Sequence, residues 1–133
     1  AVDTPIMADE SVRTPADAIE VMRKEAADCI NLKLGKIGGI YSALKIHAIA
    51  EGAGIPCVVG SILEGNLGTA AGAHFAVSSK MIKFASDLAG PLYRVEDVVN
   101  QPLTIDRGLL EVPNKPGIGV ELDEKKLESF RVG

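Results

Sequence analysis

The sequence predicts an α/β fold in which parallel strands alternate with helices. Three observations carry that prediction. Short apolar runs of strand length recur between stretches of helical spacing, and the connections between them are brief. The polar residues Asp9, Lys33, Ser61 and Asp87 each fall at or near the carboxyl end of one of those runs. The alternation implies right-handed βαβ crossovers, which fit either an open doubly wound sheet or part of a (β/α) barrel. Polar groups recurring at that one level favour the barrel, where active-site groups sit at the carboxyl ends of the strands.

The first run, Pro5-Ile6-Met7-Ala8, empties into the polar Asp9-Glu10-Ser11 and reads as a buried strand leading to a loop. Thr14-Pro15 is an N-cap followed by proline at the first helical position, with Asp17 in the first turn, so a helix is expected from Pro15 to about Ala27. Its inward stripe is Ala18, Ile19, Met22 and Ala26. A second strand is expected from Cys29 to Ile37, with Ile30, Leu32 and Leu34 on one face and Asn31 and Lys33 on the other. Lysine is depleted from buried strands, so Lys33 needs either a chemical reason or an exposed face.

Gly38-Gly39 allows a tight turn into a helix over Ile40–Glu51, which stops at Gly52-Ala53-Gly54. Pro56–Gly60 reads as a third strand, and Ser61–Gly68 as a loop before an alanine-rich helix over Thr69–Ser78. Gly65 to Thr69 fits either an anion seat at that helix N-terminus or a plain tight turn. Met81–Ala85 reads as a fourth strand. Beyond Gly90-Pro91 the repeat stops. Leu103–Ile105 and Leu109–Val112 flank Asp106-Arg107-Gly108 as a hairpin, and Asp123 caps a final helix over Glu124–Phe130.

Composition narrows the function. The 133 residues are 47% hydrophobic and 24% charged, in the range of a single folded domain. A net charge of −4 and a pI near 5.2 leave no basic stripe to follow a phosphate backbone, so nucleic acid is not an expected partner. No apolar run approaches the length needed to span a bilayer, and the chain reads as cytoplasmic. Cys29 and Cys57 match no metal or redox spacing and read as buried free thiols. His47 and His74 fall on helices and read as structural. The chain opens on Ala1 and drops almost at once into an apolar strand, which is the expectation for part of a longer polypeptide.

Four motifs in order resemble one superfamily: Met7–Ser11, then Asn31–Gly39, then Gly60–Ala71, then Pro116–Gly119 with Leu122-Asp123-Glu124. Together they resemble the enolase superfamily, in its mandelate racemase/muconate lactonizing group and nearest its muconate cycloisomerases. The resemblance covers essentially the whole chain and implies the C-terminal half of a (β/α)7β TIM-like barrel plus a C-terminal hairpin and helix. On that reading residues 1–92 are the barrel half, and residues 93–133 pack on a capping domain. Asp9 matches the third carboxylate ligand of Mg²⁺, and Lys33 matches an acid/base lysine on the following strand. Asp87 matches an acidic residue on the last barrel strand, and Ser61, Ile62, Leu63 and Glu64 match a substrate-lining loop.

The implied chemistry is removal of the α-proton of a small carboxylate through an enediolate, with a lysine of lowered pKa as base. Gly90-Pro91-Leu92 resembles the cycloisomerase pattern. An amino-acid or dipeptide racemase or epimerase, or an acid dehydratase, shares the same step. Dipeptide epimerases carry Asp-x-Asp where this chain has Asp87-Leu88-Ala89. The other two Mg²⁺ ligands and a partner Lys-x-Lys motif have no counterpart here, so the chain alone is expected to be inactive. Two open sheet edges imply a homo-oligomer or pairing with the missing N-terminal half. The reading from another class is a non-catalytic, oligomer-forming fragment.

Overall fold

The computed structural model describes residues 2–132. Three short strands, β1 (Met7–Ala8), β2 (Cys29–Leu32) and β3 (Cys57–Val59), form a parallel sheet in the order β1-β2-β3. Met7 lies opposite Cys29, and Ile30 opposite Cys57. Helix α1 (Pro15–Arg23) crosses from β1 to β2, and α3 (Ile40–Gly52) from β2 to β3. Ile30, Leu32 and Val59 of the sheet are fully buried against Ala43, Ile46 and Ala50 of α3 and the rest of one core cluster.

Local signals set the first crossover. Thr14 Oγ1 accepts the Asp17 N–H while Asp17 accepts the Thr14 N–H at 2.7 Å, a closed capping box with Pro15 at the first turn. The helix ends at Arg23 rather than near Ala27, because Glu25 takes a left-handed φ of 49° and turns the chain away. Ala18 and Val21 face the core, whereas Ile19 and Ala26, expected inward, are exposed.

The second strand is half the expected length. After Leu32 the backbone folds into a single helical turn, α2 (Leu34–Ile37), so Leu34 does not continue a strand face. Gly38, at φ 87°, closes the turn from the left-handed region, and the Gly39 N–H returns to the Leu34 carbonyl at 2.8 Å. Gly35 also has a packing reason to lack a side chain, since its missing Cβ makes room for Ile62.

Helix α4 (Asn66–Val77) starts three residues earlier than the sequence predicts. The expected fourth strand is reduced to one parallel bridge, Ile82 opposite Cys57. Lys83, Phe84 and Ala85 are exposed, and the chain rejoins the sheet only where the Asp87 N–H donates to the Val59 carbonyl at 2.9 Å. A 3₁₀ turn (Gly90–Tyr93) follows. Then β4 (Ile105–Asp106) pairs antiparallel with β5 (Leu109–Leu110), and α5 (Glu124–Ser129) is capped by Asp123. No helix among the described residues is long and apolar enough to cross a membrane.

Candidate functional site

The parallel register sets Ala8 opposite Ile30, two residues short of the end of β2, and the charged residues that follow both strands meet at this end of the sheet. Asp9 comes one residue after β1 and Lys33 one after β2. Lys33 Nζ lies 2.7 Å from Asp9 Oδ2 and 2.9 Å from Glu10 Oε1. Lys36, on α2, reaches back over the same strand ends and donates to Asp9 Oδ1 at 2.8 Å. Asn31, on β2, donates to Asp9 Oδ2 at 3.1 Å. Two lysines and two carboxylates therefore neutralise one another. Glu10 forms the exposed rim, and the Lys36 side chain, 6% exposed, forms the floor.

This electrostatics differs from the sequence expectation for Lys33. Burial works to raise the Asp9 pKa, but hydrogen bonds from Lys33 and Lys36 and their charges outweigh it and hold the carboxyl below the usual range. Lys33 is pushed the other way, above the ordinary lysine value, by its hydrogen bonds to Asp9 and then Glu10. The expected base of lowered pKa is here a held ammonium. Its nearest charges are two anions, and the cation beside it, Lys36, is already spent on Asp9. Lys33 in this state carries its proton, and its two carboxylate partners hold that proton more tightly than water would.

The other predicted residues occupy two neighbouring places. Ser61 Oγ donates to Glu64 Oε2 at 2.9 Å, the Ile62 N–H donates to the same oxygen at 2.7 Å, and the Leu63 N–H donates to Ser61 Oγ at 2.8 Å. The loop is thus a self-bonded turn after β3, with the Ile62 and Leu63 side chains exposed. Leu63 sits at a left-handed φ of 63°, and its carbonyl is held by Arg94 at 2.8 Å. Asp87 is fixed beside β3 through its backbone, and its exposed side chain takes no part in the Asp9–Lys33 pair. It borders a cavity of about 470 Å³ between α4, the 85–92 segment and the β4–β5 pair. A larger cavity of about 770 Å³ lies wholly within residues 100–121, away from the charged cluster.

The anion seat considered at the start of α4 is filled by the chain itself. Asp97 Oδ2 accepts from the Asn66 N–H at 2.7 Å and from Asn66 Nδ2 at 2.8 Å, while Oδ1 accepts from the Val98 N–H. His47 is buried, hydrogen-bonded to Ser79 Oγ at 2.6 Å and edge-on to Phe75. His74 contacts the Ile118 carbonyl at 3.3 Å. Cys29 and Cys57 are buried free thiols, and burial, then the neighbouring Cys29, pushes Cys57 up to about 11.

The donor set does not by itself fit Mg²⁺. That ion demands about six hard oxygen ligands in octahedral array, and both Asp9 oxygens are already bonded to ammonium groups. Among the described residues no three His, Cys, Asp or Glu side chains come together as a metal site. Lys36 and Asp97 escaped the sequence reading. The available signal for Lys36 was its position three residues after Lys33, which returns to the same side only if the chain turns helical there.

Residues 1–126 match the model of the family described as enolase C-terminal domain-like. The chain is 49% identical to the L-Ala-D/L-Glu epimerase of Bacillus subtilis over 120 residues, which is 90% of this chain and 32% of that protein. It is 46% identical to muconate cycloisomerase 1 of Rhodococcus opacus over 129 residues, 97% of this chain and 35% of that one. The solved structure of the N-succinyl Arg/Lys racemase of Bacillus cereus is similar at a TM-score of 0.92 and 39% identity, covering 99% of this chain and 35% of that one. The chain thus spans about a third of the length of these relatives.

Proposed function

Since the chain belongs to the enolase C-terminal domain-like family, we propose that it carries the acid/base part of an isomerase site that moves the α-proton of a small carboxylate. The observation behind this reading is the 2.7 Å pairing of Lys33 Nζ with Asp9 Oδ2 at the carboxyl ends of adjacent parallel strands. In the protonating direction an N–H bond of Lys33 breaks, and its proton joins the α-carbon of an enediolate, whose electron pair forms the new C–H bond. In the reverse direction the neutral amine takes that proton and the pair returns to the carboxyl group. Lys33 must then exchange its two carboxylate partners for the substrate. The Ser61–Glu64 loop lines the substrate, and Asp87 is a second polar group facing it.

Further proposals rest on the same reading. Asp9 is one ligand of a Mg²⁺ site whose other ligands lie outside the described residues. Residues 1–92 are half of a (β/α)7β barrel, residues 93–133 pack on a capping domain, and the open sheet edges are covered by the remainder of the barrel or by a second copy. The leading reaction is cycloisomerisation of the muconate type. Amino-acid epimerisation is the second, favoured by the 49% identity to the Bacillus subtilis epimerase.

A segment swap tests the chemistry. This chain replaces the matching segment of that epimerase, and deuterium uptake at the α-carbon is followed in heavy water with L-Ala-L-Glu and with muconolactone. The expected result is exchange in the swap protein that falls by about 10²–10⁴ in Lys33→Ala, the range of a lost acid/base group. Exchange undiminished by Lys33→Ala refutes the reading, and the substrate that exchanges separates the two reactions.

A further inference from the structure

The two lysines at the end of β2 are held in different ways. Lys36 Nζ makes three bonds, to the Asp9 carbonyl at 2.6 Å, to Asp9 Oδ1 at 2.8 Å and to the Asn31 carbonyl at 3.3 Å. An ammonium has three donors, so all of them are used, and they join the ends of β1 and β2. Lys33 makes its two contacts to side chains alone, one of them Glu10 at the exposed rim. Asp9 is therefore fixed at Oδ1 by Lys36 and at Oδ2 by Asn31, before Lys33 contributes anything. Asn31 is itself confined. It is 8% exposed, its Oδ1 is buried without a hydrogen-bond partner, and a Cβ on Gly60 would run into its amide.

We propose that Lys36 is the positioning residue of this site: it locks the Asp9 carboxylate in one orientation, so that Lys33 can leave Asp9 without releasing it. The consequence for proton transfer rests on the reading of Lys33 given above. The positioning itself does not, because it is a property of the ground-state side chains. A group that must swing toward substrate needs a partner that stays behind, since a shift of about 1 Å in a reacting constellation can cost about 10²-fold in rate. The second lysine of Lys33-Leu34-Gly35-Lys36 supplies that anchor through the α2 turn.

The test uses the 133-residue chain itself and no turnover. Three-bond couplings from Asp9 Cγ to the backbone nitrogen and carbonyl carbon report whether χ1 holds one rotamer or averages. A ¹H–¹⁵N cross-peak from the Lys36 ammonium reports its protection from solvent. The wild type should show one Asp9 rotamer and an observable Lys36 ammonium. Lys33→Met should preserve both, whereas Lys36→Met should move the Asp9 couplings to averaged values, with the amide shifts of β3 and α4 unchanged. Averaging already in the wild type, equal averaging in both variants, or a fixed Asp9 in Lys36→Met each overturns the proposal. If Lys36→Met does not fold, the wild type and Lys33→Met still decide: loss of the single Asp9 rotamer in either overturns it, and its retention in both with a protected Lys36 ammonium supports it. Failure of the swap assay on Lys33→Ala would refute the proton-transfer reading while leaving these couplings as they are.

Discussion

Replacing Asp97 should unfasten the start of α4, and the cost can be worked from its contacts. The carboxylate accepts three N–H donors, from the Asn66 backbone, the Asn66 side chain and the Val98 backbone, each at 2.7–2.8 Å. Asn66 is 2% exposed, and its Oδ1 in turn accepts the Leu103 N–H at 2.6 Å, so Asn66 cannot turn to water when Asp97 is removed. A hydrogen bond to a charged group is worth about 1.5–3 kcal/mol, but Asp97 is itself partly exposed and water can replace part of the loss. Asp97→Ala should therefore cost about 2–4 kcal/mol, and Asp97→Asn about half that. With an m-value of about 1–3 kcal/mol/M, Asp97→Ala should lower the urea midpoint by about 0.7–4 M at unchanged m. The pH dependence has a definite sign. Burial raises the Asp97 pKa, but the bonds from Asn66 and Val98 and the charge of Arg94 outweigh it and hold the carboxyl below its ordinary value. Its stabilisation is present in full above the unfolded pKa of about 3.9 and is lost as pH falls through the lower folded value. The gap between wild type and Asp97→Asn should thus be constant from neutral pH to about 5 and shrink below about 4. A midpoint for Asp97→Ala within error of wild type, or a gap that widens in acid, refutes this account of how α4 is anchored.

Three further outcomes follow from the same structure. Cys57, fully buried and pushed up to about 11, should react with iodoacetamide at pH 8 more than about 100-fold slower than an exposed thiol, and labelling at the free-cysteine rate would contradict its placement. Leu63→Gly should change stability by no more than about 1 kcal/mol in either direction, because relief of a left-handed φ offsets the glycine entropy and the side chain is exposed. A larger loss in thermal melting would mean that Leu63 packs against something. Calorimetry should find Mg²⁺ binding to the chain no tighter than about millimolar, since the Asp9 and Glu10 carboxylates are both bonded to lysine ammonium groups and, among the described residues, no three candidate ligand side chains come together; micromolar binding would contradict that placement.

What could be read from the sequence was what depends on neighbours in the chain. The Thr14-Pro15 start with Asp17 specified the α1 N-terminus, and Asp123 the α5 cap, because a cap bonds residues two or three positions away. Termini set by distant partners were not legible. The early start of α4 depends on Asp97, 31 positions after Asn66, and no local residue marks it. The missing fourth strand has a similar cause. Met81–Ala85 has the residues of a strand, yet only Ile82 bridges to β3, since pairing needs a partner in register and not apolar side chains alone.

The candidate site divides along the same line. Asp9 and Lys33 were legible because a parallel sheet puts the carboxyl ends of successive strands at the same end of the sheet, so polar residues just beyond each run gather there. The protonation of Lys33 was not legible, because it depends on which charges the fold puts against it, and Glu10 is brought there only by the turn after β1. Lys36 was hidden by the reading of Leu34 as a strand residue, since at a period of two it lies on the face opposite Asn31 and Lys33 only by parity. One helical turn, closed by Gly38, reverses that geometry and returns Lys36 to the strand ends. The glycine pair therefore shapes the site: it closes the single helical turn that carries a second lysine back to Asp9.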